Sequence, residues 1–411
     1  MTGGRGSVAV VGAGVKAPGG CTVQELWESA CAGRPTARRY VDPRLPESAG
    51  ILVCLADDFE PAAYLTPAAA RRADRAVQLA VGAAADALAD IDGELPPPDR
   101  CAVVAGVGLG GTATYETHHE QLLSRGLHAL NPLTIPMVMP NATAAALSLR
   151  FGFRGPCLTV CTACASGANA IGEGVELLRR GATDLVLAGG VDSMVTYNAL
   201  CSFFRLDVMS GNVDEPGLAS RPFDVDRDGF VMGEGAGFLA LARPATAVGA
   251  GWPVHGVVAG YGTTADAHHL VAPSPNGAGA LACMRLALAD AGIGPSDVAH
   301  VSAHGTSTVL NDRAESDALL ALFGPTTPPV TALKGTTGHL VGGSGAVEAA
   351  LALRTAASGV VPPVAGLRHL DPHTPVDAVA AKPRRIGAGL ALSTSFGFGG
   401  TNAALVLGPP P

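Results

Sequence analysis

The sequence has little charge, few aromatic side chains and almost no lysine. Of its 411 residues, 15% are charged and 4% are aromatic, whereas 48% are hydrophobic. This balance excludes an intrinsically disordered chain, which needs high charge and low hydrophobicity, and it favours a folded protein with a large core. Because aromatic residues are scarce, we expect Ala, Val and Leu to build most of that core.

A basic block is also absent. The formal net charge is −8, and only three of the 27 basic residues are lysine, at positions 16, 334 and 382. A sequence-independent nucleic-acid binder needs a basic surface, so we expect no nucleic-acid partner. The nine cysteines are odd in number and spread over a long chain, which argues against a disulfide framework.

No stretch of the sequence predicts a membrane span or a secretory leader. Met1–Val8 contains no apolar segment of the kind that a signal peptide requires. The longest charge-free stretch, Ile386–Gly408, is interrupted by glycine and hydroxyl residues, which favours buried strands joined by a turn over a transmembrane helix. We therefore expect a cytoplasmic protein without a membrane partner.

Short apolar runs alternate with longer helical patterns, which predicts a layered α/β architecture. Thr66–Ile91 is predicted to form one helix, with Thr66 as its N-cap and Pro67 as its first residue. A notable cysteine motif precedes residue 245, and the notable histidine motifs follow it. We therefore divide the chain near Arg243–Gly251, into an N-terminal half at 1–245 and a C-terminal half at 246–411.

Two motifs suggest cofactors that their context does not favour. Gly12–Ala17 matches the dinucleotide pattern GxGxxA, but Pro18 follows where a cofactor-binding helix should continue, so we interpret the glycines as a tight turn. Cys157, Cys161 and Cys164 have the spacing C-x3-C-x2-C of some iron–sulfur proteins. Cluster ligands need a flexible loop, whereas here the first cysteine lies on an apparent strand and the third opens a helix.

Adjacent histidines at 118–119 and 268–269 are possible metal ligands. Neither pair has a second ligand pair at the spacing typical of zinc sites. We therefore expect surface or structural roles for them and no bound metal.

Cys164 lies between a buried strand and a predicted helix, among small residues that leave room for a substrate. A thiol at a helix N-terminus is exposed to the positive end of the helix dipole, so we expect its pKa to be lowered. The segment alone fits a buried structural cysteine about equally well.

Three further motifs follow, each at the end of a predicted strand. His304 is followed by the hydroxyl residues Thr306 and Thr308, and Lys334 precedes a short loop that carries His339. The third is a glycine-rich turn at 395–402, between two strands. Each motif alone is compatible with an ordinary loop, but all four together are hard to explain by structure alone.

In their order and spacing, these motifs resemble the active-site motifs of the β-ketoacyl-acyl-carrier-protein synthases. The resemblance is to the elongating, synthase II-like type of dissociated fatty-acid and polyketide systems. It covers nearly the whole chain and includes Ser220–Asp224, Asp228–Val231 and Asp266–Pro273. It implies the thiolase fold, in which two similar βα halves form α-β-α-β-α layers.

The resemblance also implies an activity and partners. The reaction is a decarboxylative Claisen condensation with malonyl-acyl carrier protein, whose phosphopantetheine carries the substrates, with no bound cofactor. A homodimer is expected, or a heterodimer with a related ketosynthase or chain-length-factor subunit. The stretch Arg72–Ala76 and the arginine bias resemble polyketide-type members from secondary metabolism.

Site residues follow from the same resemblance. Cys164 is expected to hold the acyl group as a thioester, and His304 and His339 to donate N–H bonds to the enolate oxygen. The backbone amides of Cys164 and Phe398 are expected to form the oxyanion hole, because donors aimed at a developing negative charge stabilise the transition state.

Further residues are expected to support this set. Lys334 and Glu348 match a pair that fixes the histidine loop, since a buried ion pair positions groups more than it stabilises the fold. Thr306 and Thr308 are expected to bind pantetheine.

Leu109, Phe396 and Phe398 are expected at the acyl pocket and its gate. Phe398 is flanked by Gly397 and Gly399, which should allow it to swing at low cost.

Three positions depart from the pattern of the fatty-acid type. Val271 and Gly335 stand where a Thr and a Ser are usual, and Thr394 stands where Asn is common. We expect none of them to touch the Cys-His-His set. The departures put substrate handling in doubt more than activity.

Two alternative functions remain open. A chain-length-factor-like partner subunit would lack the nucleophile, whereas Cys164 is present. A non-elongating acyltransferase on the same fold is also possible, since fold does not fix function. A thiolase is expected to carry a second catalytic cysteine near the C-terminus, and no cysteine follows Cys283.

Overall fold

The computed structural model describes residues 6–45 and 50–411. The strands are β1 Val8–Lys16, β2 Arg38–Arg39, β3 Leu52–Cys54, β4 Cys101–Val107, β5 Cys157–Val160, β6 Leu185–Ser193, β7 Met232–Ala242, β8 Gly256–Ala265, β9 Val298–Ser302, β10 Val330–Thr331, β11 Val360–Val361, β12 Arg384–Arg385, β13 Leu390–Gly397 and β14 Thr401–Gly408. The expectation of no leader rests partly on residues 1–5, which lie outside the described residues.

Helices alternate with these strands along the chain. They are α1 Val23–Cys31, α2 Pro67–Ala70, α3 Arg75–Ala89, α4 Thr112–Arg125, α5 Thr134–Val138, α6 Ala142–Phe151, α7 Ser166–Arg179, α8 Tyr197–Arg205, α9 Pro244–Ala250, α10 Ala278–Ala291, α11 Val309–Phe323, α12 Lys334–Thr337 and α13 Ser344–Ser358. In the described chain, none of them is both long and apolar enough to cross a membrane.

The main sheet is built from two halves with the same strand order. Its path is β10-β9-β13-β14-β8-β1-β7-β6-β4-β5, and β1 pairs with β8 antiparallel at the centre. β7, β6, β4 and β5 follow β1 with the same succession of antiparallel and parallel pairings as β14, β13, β9 and β10 follow β8. This repetition confirms the expected fold of two similar βα halves.

Helices cover both faces of each half, which gives the five expected layers. α7 and α13 pack against strands of both halves and against each other, whereas α3 and α10 cover the outer faces. Val8 and Val10 of β1 lie in the central core, and Ala9 and Val11 lie in the outer core beneath α3. This alternation follows because successive side chains of a strand point to opposite faces.

The long helix predicted for Thr66–Ile91 is wrong: the segment forms α2 and α3. Thr66 caps α2 by accepting from the Ala69 amide, as predicted for the N-cap. The carboxylate of Asp74 then accepts the Ala76 amide and starts a second helix. An aspartate satisfies helix N-terminal amides better than it continues a helix, so the chain breaks there.

The tight turn predicted around Gly12 is also wrong, because Gly12 and Gly14 lie within β1. A Cβ at these positions would meet the carbonyl oxygens of Ala87 and Ala83 on α3 at 1.9 and 2.0 Å. The glycines therefore allow α3 to lie close on β1, and the dinucleotide-like pattern reflects packing. The charge-free stretch Ile386–Gly408 forms β13, β14 and their turn, as predicted.

Replacing Gly14 with alanine is expected to destabilise the fold by about 1–3 kcal/mol, because the new methyl group overlaps the Ala83 carbonyl. The matched control is Gly249→Ala on α9, where nothing lies within 4 Å of the added Cβ. That change should be neutral or stabilise by up to about 1 kcal/mol. Urea unfolding measures both, and equal stabilities would contradict the packing interpretation.

Candidate active site

Four loops meet around one cavity of about 610 Å³. Cys164 precedes α7, His304 follows β9, His339 precedes α13 and Phe398 lies in the turn between β13 and β14. All four residues line the cavity. The structure therefore brings together the four motifs that the sequence places at strand ends.

The two halves supply equivalent turns before the central helices. Cys164 lies in the turn Ala163–Ala165 before α7, and the turn Val341–Gly343 precedes α13. Ala163 and Val341 both adopt φ of 49°. Positive φ is unusual for alanine and more so for a β-branched valine, so the surrounding contacts must hold both turns in this shape.

His339 contacts the thiol directly. Its Nε2 lies 3.1 Å from Cys164 Sγ, while its Nδ1 accepts the Val341 N–H at 3.3 Å and lies 3.1 Å from Ser344 Oγ. Burial holds the pKa of His339 well below its usual value, and the Lys334 charge acts in the same direction. The ring is therefore neutral, and because Nδ1 accepts, the proton lies on Nε2 and faces the sulfur.

His304 is oriented by Lys334. The Lys334 Nζ lies 2.5 Å from the His304 carbonyl oxygen, 3.2 Å from His304 Nδ1 and 2.6 Å from Glu348 Oε1. An ammonium group has three N–H donors and no acceptor, so it matches these three acceptors and leaves the His304 proton on Nε2. Burial, together with the Lys334 charge and His339, holds the pKa of His304 far below its usual value.

The predicted low pKa of Cys164 is wrong. Burial raises the pKa of this thiol to about 11, although the Lys334 charge and the backbone amides of Phe398 and Cys164 itself oppose the rise. The free-energy cost of removing a thiolate from water exceeds the stabilisation that Lys334 and the two amides give it. The same two amides lower the thiol pKa, and they are the pair that the resemblance expects to form the oxyanion hole.

Gly397 allows the Phe398 turn to approach the nucleophile turn. A Cβ at Gly397 would lie 2.6 Å from the Thr162 carbonyl oxygen and 3.1 Å from the Cys164 nitrogen. Gly399, in contrast, adopts φ of +83° with open space around it. The ring of Phe398 stacks on Phe203 with centroids 6.4 Å apart. Backbone freedom beside Phe398 is therefore confined to the Gly399 side.

Glu315, which the sequence analysis missed, holds the His304 loop together with Thr394. Glu315 on α11 accepts the amides of His304 and Gly305 at 2.9 and 2.8 Å and the Thr394 hydroxyl at 2.7 Å. Thr394 Oγ1 also accepts the His304 amide at 3.1 Å. The expectation that Thr394 does not touch the Cys-His-His set is therefore wrong. The only sequence signal is an acidic residue on the helix that follows the loop.

The other expected residues also lie at the cavity, which is lined by Leu109, Phe396, Thr306, Thr308 and Val271. Phe396 packs edge-on against His304, with ring centroids 5.8 Å apart. The hydroxyls of Thr306 and Thr308 lie 2.9 Å apart. Leu109 is 53% exposed at the rim.

Gly335 lies outside the cavity, and a Cβ there would meet the Ala365 carbonyl oxygen at 2.2 Å. Close packing therefore explains why this chain carries glycine at that position.

The cysteine and histidine motifs without an assigned role have surface or structural positions, and one of these residues, His269, also lines the cavity. Cys157 and Cys161 are exposed, whereas Cys164 is buried. His269 Nδ1 accepts the amides of Val271 and Ala272, which is a structural role. Across residues 6–45 and 50–411, no group of three His, Cys, Asp or Glu residues is arranged to hold a metal ion.

Comparisons with known proteins identify the family of the chain. The family model for the β-ketoacyl synthase N-terminal domain matches residues 5–247, and the model for the C-terminal domain matches residues 255–368. The 3-oxoacyl-[acyl-carrier-protein] synthase 2 of Staphylococcus aureus is 36% identical over 407 residues, which cover 97% of each chain.

Solved structures show the same likeness. The ishigamide ketosynthase/chain length factor superposes with a TM-score of 0.90 at 32% identity, covering 99% of this chain and 100% of that one. A type II polyketide synthase acyl carrier protein in complex with its ketosynthase, bound to the hexaketide, superposes with a TM-score of 0.89. The identity is 26%, with coverage of 98% and 99%.

Alkylation of Cys164 by iodoacetamide is expected to accelerate as pH rises towards about 11, since the thiolate is the reactive form. Lys334→Met should slow it at pH values below that pKa, because Lys334 opposes the rise in the thiol pKa and its removal lets the pKa rise further. Lys382→Met, at an exposed lysine, is the control. Peptide mass spectrometry separates Cys164 from the exposed cysteines, and a rate plateau near neutral pH would contradict the prediction.

Proposed function

The chain belongs to the β-ketoacyl synthase family, and from this premise we propose which residues carry each step of its reaction. It is an acyltransferase that catalyses a β-ketoacyl-forming condensation. The observation that carries the proposal is the 3.1 Å contact between Cys164 Sγ and His339 Nε2, in a cavity that His304 also lines.

In the first step Cys164 takes the acyl group. Its sulfur attacks the acyl thioester on the phosphopantetheine of an acyl carrier protein, and the carbonyl oxygen becomes an oxyanion. The amides of Cys164 and Phe398, which face the sulfur, stabilise that oxyanion. When the tetrahedral intermediate collapses, the new carbon–sulfur bond remains and the pantetheine thiol leaves with the proton that Cys164 gave up.

In the second step malonyl carrier protein loses carbon dioxide. The electron pair of the broken carbon–carbon bond delocalises onto the thioester oxygen as an enolate. His304 and His339, both neutral with their protons on Nε2, donate hydrogen bonds to that oxygen. Buried neutral imidazoles suit this task because they stabilise a negative charge without first being deprotonated.

In the third step the enolate carbon attacks the acyl-Cys164 carbonyl. A carbon–carbon bond forms and the carbon–sulfur bond to Cys164 breaks, so the β-ketoacyl product stays on the carrier and the leaving thiolate takes up a proton from solvent. The amides of Cys164 and Phe398 again hold the oxyanion. One loading site therefore serves both acyl transfers.

The supporting residues position this chemistry. Lys334 orients His304 and is itself paired with Glu348, whose pKa burial raises to about 7 against the effect of Lys334. Thr306 and Thr308 bind the pantetheine arm. Leu109, Phe396 and Phe398 line and gate the acyl pocket. The reaction needs no bound cofactor, because the substrates arrive on phosphopantetheine.

The pathway and the partners are proposed from the relatives. One similar structure is a ketosynthase with a chain length factor, and another is a type II polyketide ketosynthase with its acyl carrier protein. We assign this chain to type II polyketide or related secondary metabolism. Its partners are an acyl carrier protein and a second ketosynthase-type subunit, in a homodimer or a heterodimer. The halves at 1–245 and 246–411 carry the nucleophile and the two histidines, respectively.

Cys164→Ala is expected to abolish acyl loading and condensation but to retain malonyl decarboxylation, which does not use the thiol. Intact-mass measurement after incubation with a panel of acyl carrier proteins detects loading and reports which chains are accepted. Cys283→Ala, at a buried cysteine of α10 outside the cavity, is the matched control. Full condensation by Cys164→Ala would overturn the assignment.

His304→Ala and His339→Ala are each expected to become acylated yet to decarboxylate malonyl carrier protein about a hundredfold more slowly, since each loses an enolate donor. Release of carbon dioxide measures the effect. His268→Ala, at an exposed histidine that does not line the cavity, should behave as wild type. Normal decarboxylation by both variants would exclude the proposed roles.

A further inference from the structure

Asp192 is a fully buried carboxyl group near the end of β6, and it forms no ion pair in the part of the chain that the structure describes. Its partners are backbone amides. Oδ2 accepts from Gly108 at 2.8 Å and from Gly342 at 2.7 Å, and Oδ1 accepts from Leu109 at 3.2 Å. One carboxylate therefore binds two loops that are far apart in sequence.

Both loops reach the active-site cavity. Gly108 and Leu109 follow β4 and line it, and Val341, the residue before Gly342, lines it too. The Val341 amide donates to Nδ1 of His339. Asp192 thus lies behind the cavity. On one side of it is the loop of Gly108 and Leu109, the acyl-pocket loop, and on the other is the turn Val341–Gly343, which keeps the His339 proton on Nε2.

Glycines make this arrangement tight. A Cβ at Gly108 would lie 2.5 Å from Asp192 Oδ2 and 3.0 Å from Val341 Cγ1, and a Cβ at Gly342 would lie 2.5 Å from the same oxygen. No side chain fits between the carboxylate and either loop. A displacement of one loop is therefore transmitted to the other through direct contacts.

The turn that Asp192 holds is strained. Val341 has φ of 49°, which a β-branched residue rarely adopts and which persists only where neighbouring contacts hold it. The bond from Gly342 to Asp192 is such a contact, and it is fully buried. Burial raises the pKa of Asp192 to about 7, and the amides of Gly342 and Gly108 oppose the rise.

We propose that Asp192 is a positioning residue that couples the acyl-pocket loop to His339, so that the acyl chain in the pocket influences the enolate-forming step. The coupling follows from the shared carboxylate. An acyl chain that displaces the Leu109 loop also strains the bond between Asp192 and Gly342, and with it the Val341 turn. The inference rests on the proposed condensation for its consequence, although the coupling itself is a property of the two loops.

The test is Asp192→Asn, which replaces one accepting oxygen with an NH2 group. The variant loses either the Leu109 bond or both bonds of the oxygen that Gly108 and Gly342 share, and its neutral amide weakens the bonds that remain. Decarboxylation of malonyl carrier protein should fall about tenfold to a hundredfold, because His339 shifts from its productive position relative to the enolate oxygen. Loading of a short acyl chain onto Cys164 should persist, while the wild-type preference between short and long chains should weaken.

The control is Asp74→Asn, a second buried aspartate that accepts backbone amides, those of Ala76 and Thr114, away from the cavity. It should leave the ratio of decarboxylation to loading unchanged. A purely structural role for Asp192 would lower every rate by the same factor. Unchanged ratios in Asp192→Asn would therefore overturn the proposal.

A second measurement does not depend on activity. Cys164 of the wild type is alkylated with N-alkyl iodoacetamides of increasing chain length, and hydrogen–deuterium exchange is followed in peptides 106–112 and 338–344. The proposal predicts that both peptides change together once the chain is long enough to reach Leu109. A change confined to 106–112 would overturn it, even if Asp192→Asn does not fold.

The two measurements separate this inference from the proposed function. If the wild type neither loads acyl groups nor decarboxylates malonyl carrier protein, the proposed function fails, and the exchange result alone decides the coupling. If the wild type is active but the two peptides respond independently, the coupling fails and the condensation stands.

Discussion

The close approach of α7 and α13 at their N-terminal ends is the constraint on which the site depends. A Cβ at Gly167 on α7 would lie 2.6 Å from the Gly342 carbonyl oxygen, and a Cβ at Gly345 on α13 would lie 2.9 Å from the Ala168 nitrogen. Only residues without side chains allow this contact. Because Cys164 lies in the turn before one helix and His339 lies shortly before the turn that leads into the other, helix packing itself brings the sulfur and the imidazole within 3.1 Å.

Burial then sets the chemistry of the groups that the helices bring together. It keeps both imidazoles neutral, and Lys334 and the Val341 amide fix their protons on Nε2, so the site offers two ready donors. The same burial raises the pKa of the thiol to about 11. The site is therefore better suited to stabilising anions that form during the reaction than to storing a thiolate beforehand.

Much of this could be predicted from the sequence, and the failures have identifiable causes. The alternation of apolar runs predicts a layered α/β architecture, and the family resemblance carried by four motifs at strand ends implies the five layers and the site residues. The cap at Asp74 and the packing of Gly12 against α3 depend on contacts across the fold, as does the link from Glu315 to the His304 loop. Burial of Cys164 also depends on contacts across the fold, so the sequence alone predicts a lowered pKa where burial raises it. α4 buries none of its residues, so its sequence lacks the regular spacing of apolar residues from which a helix is predicted.

The most direct test reconstitutes the reaction with an acyl carrier protein and malonyl carrier protein labelled at the free carboxylate carbon. A decarboxylative condensation gives one labelled carbon dioxide for each β-ketoacyl product, an unlabelled product on the carrier, and a transient acyl group on Cys164. Product formation that retains the label, or that proceeds without an acyl-Cys164 intermediate, would contradict the central claim that a buried Cys-His-His set performs a decarboxylative condensation.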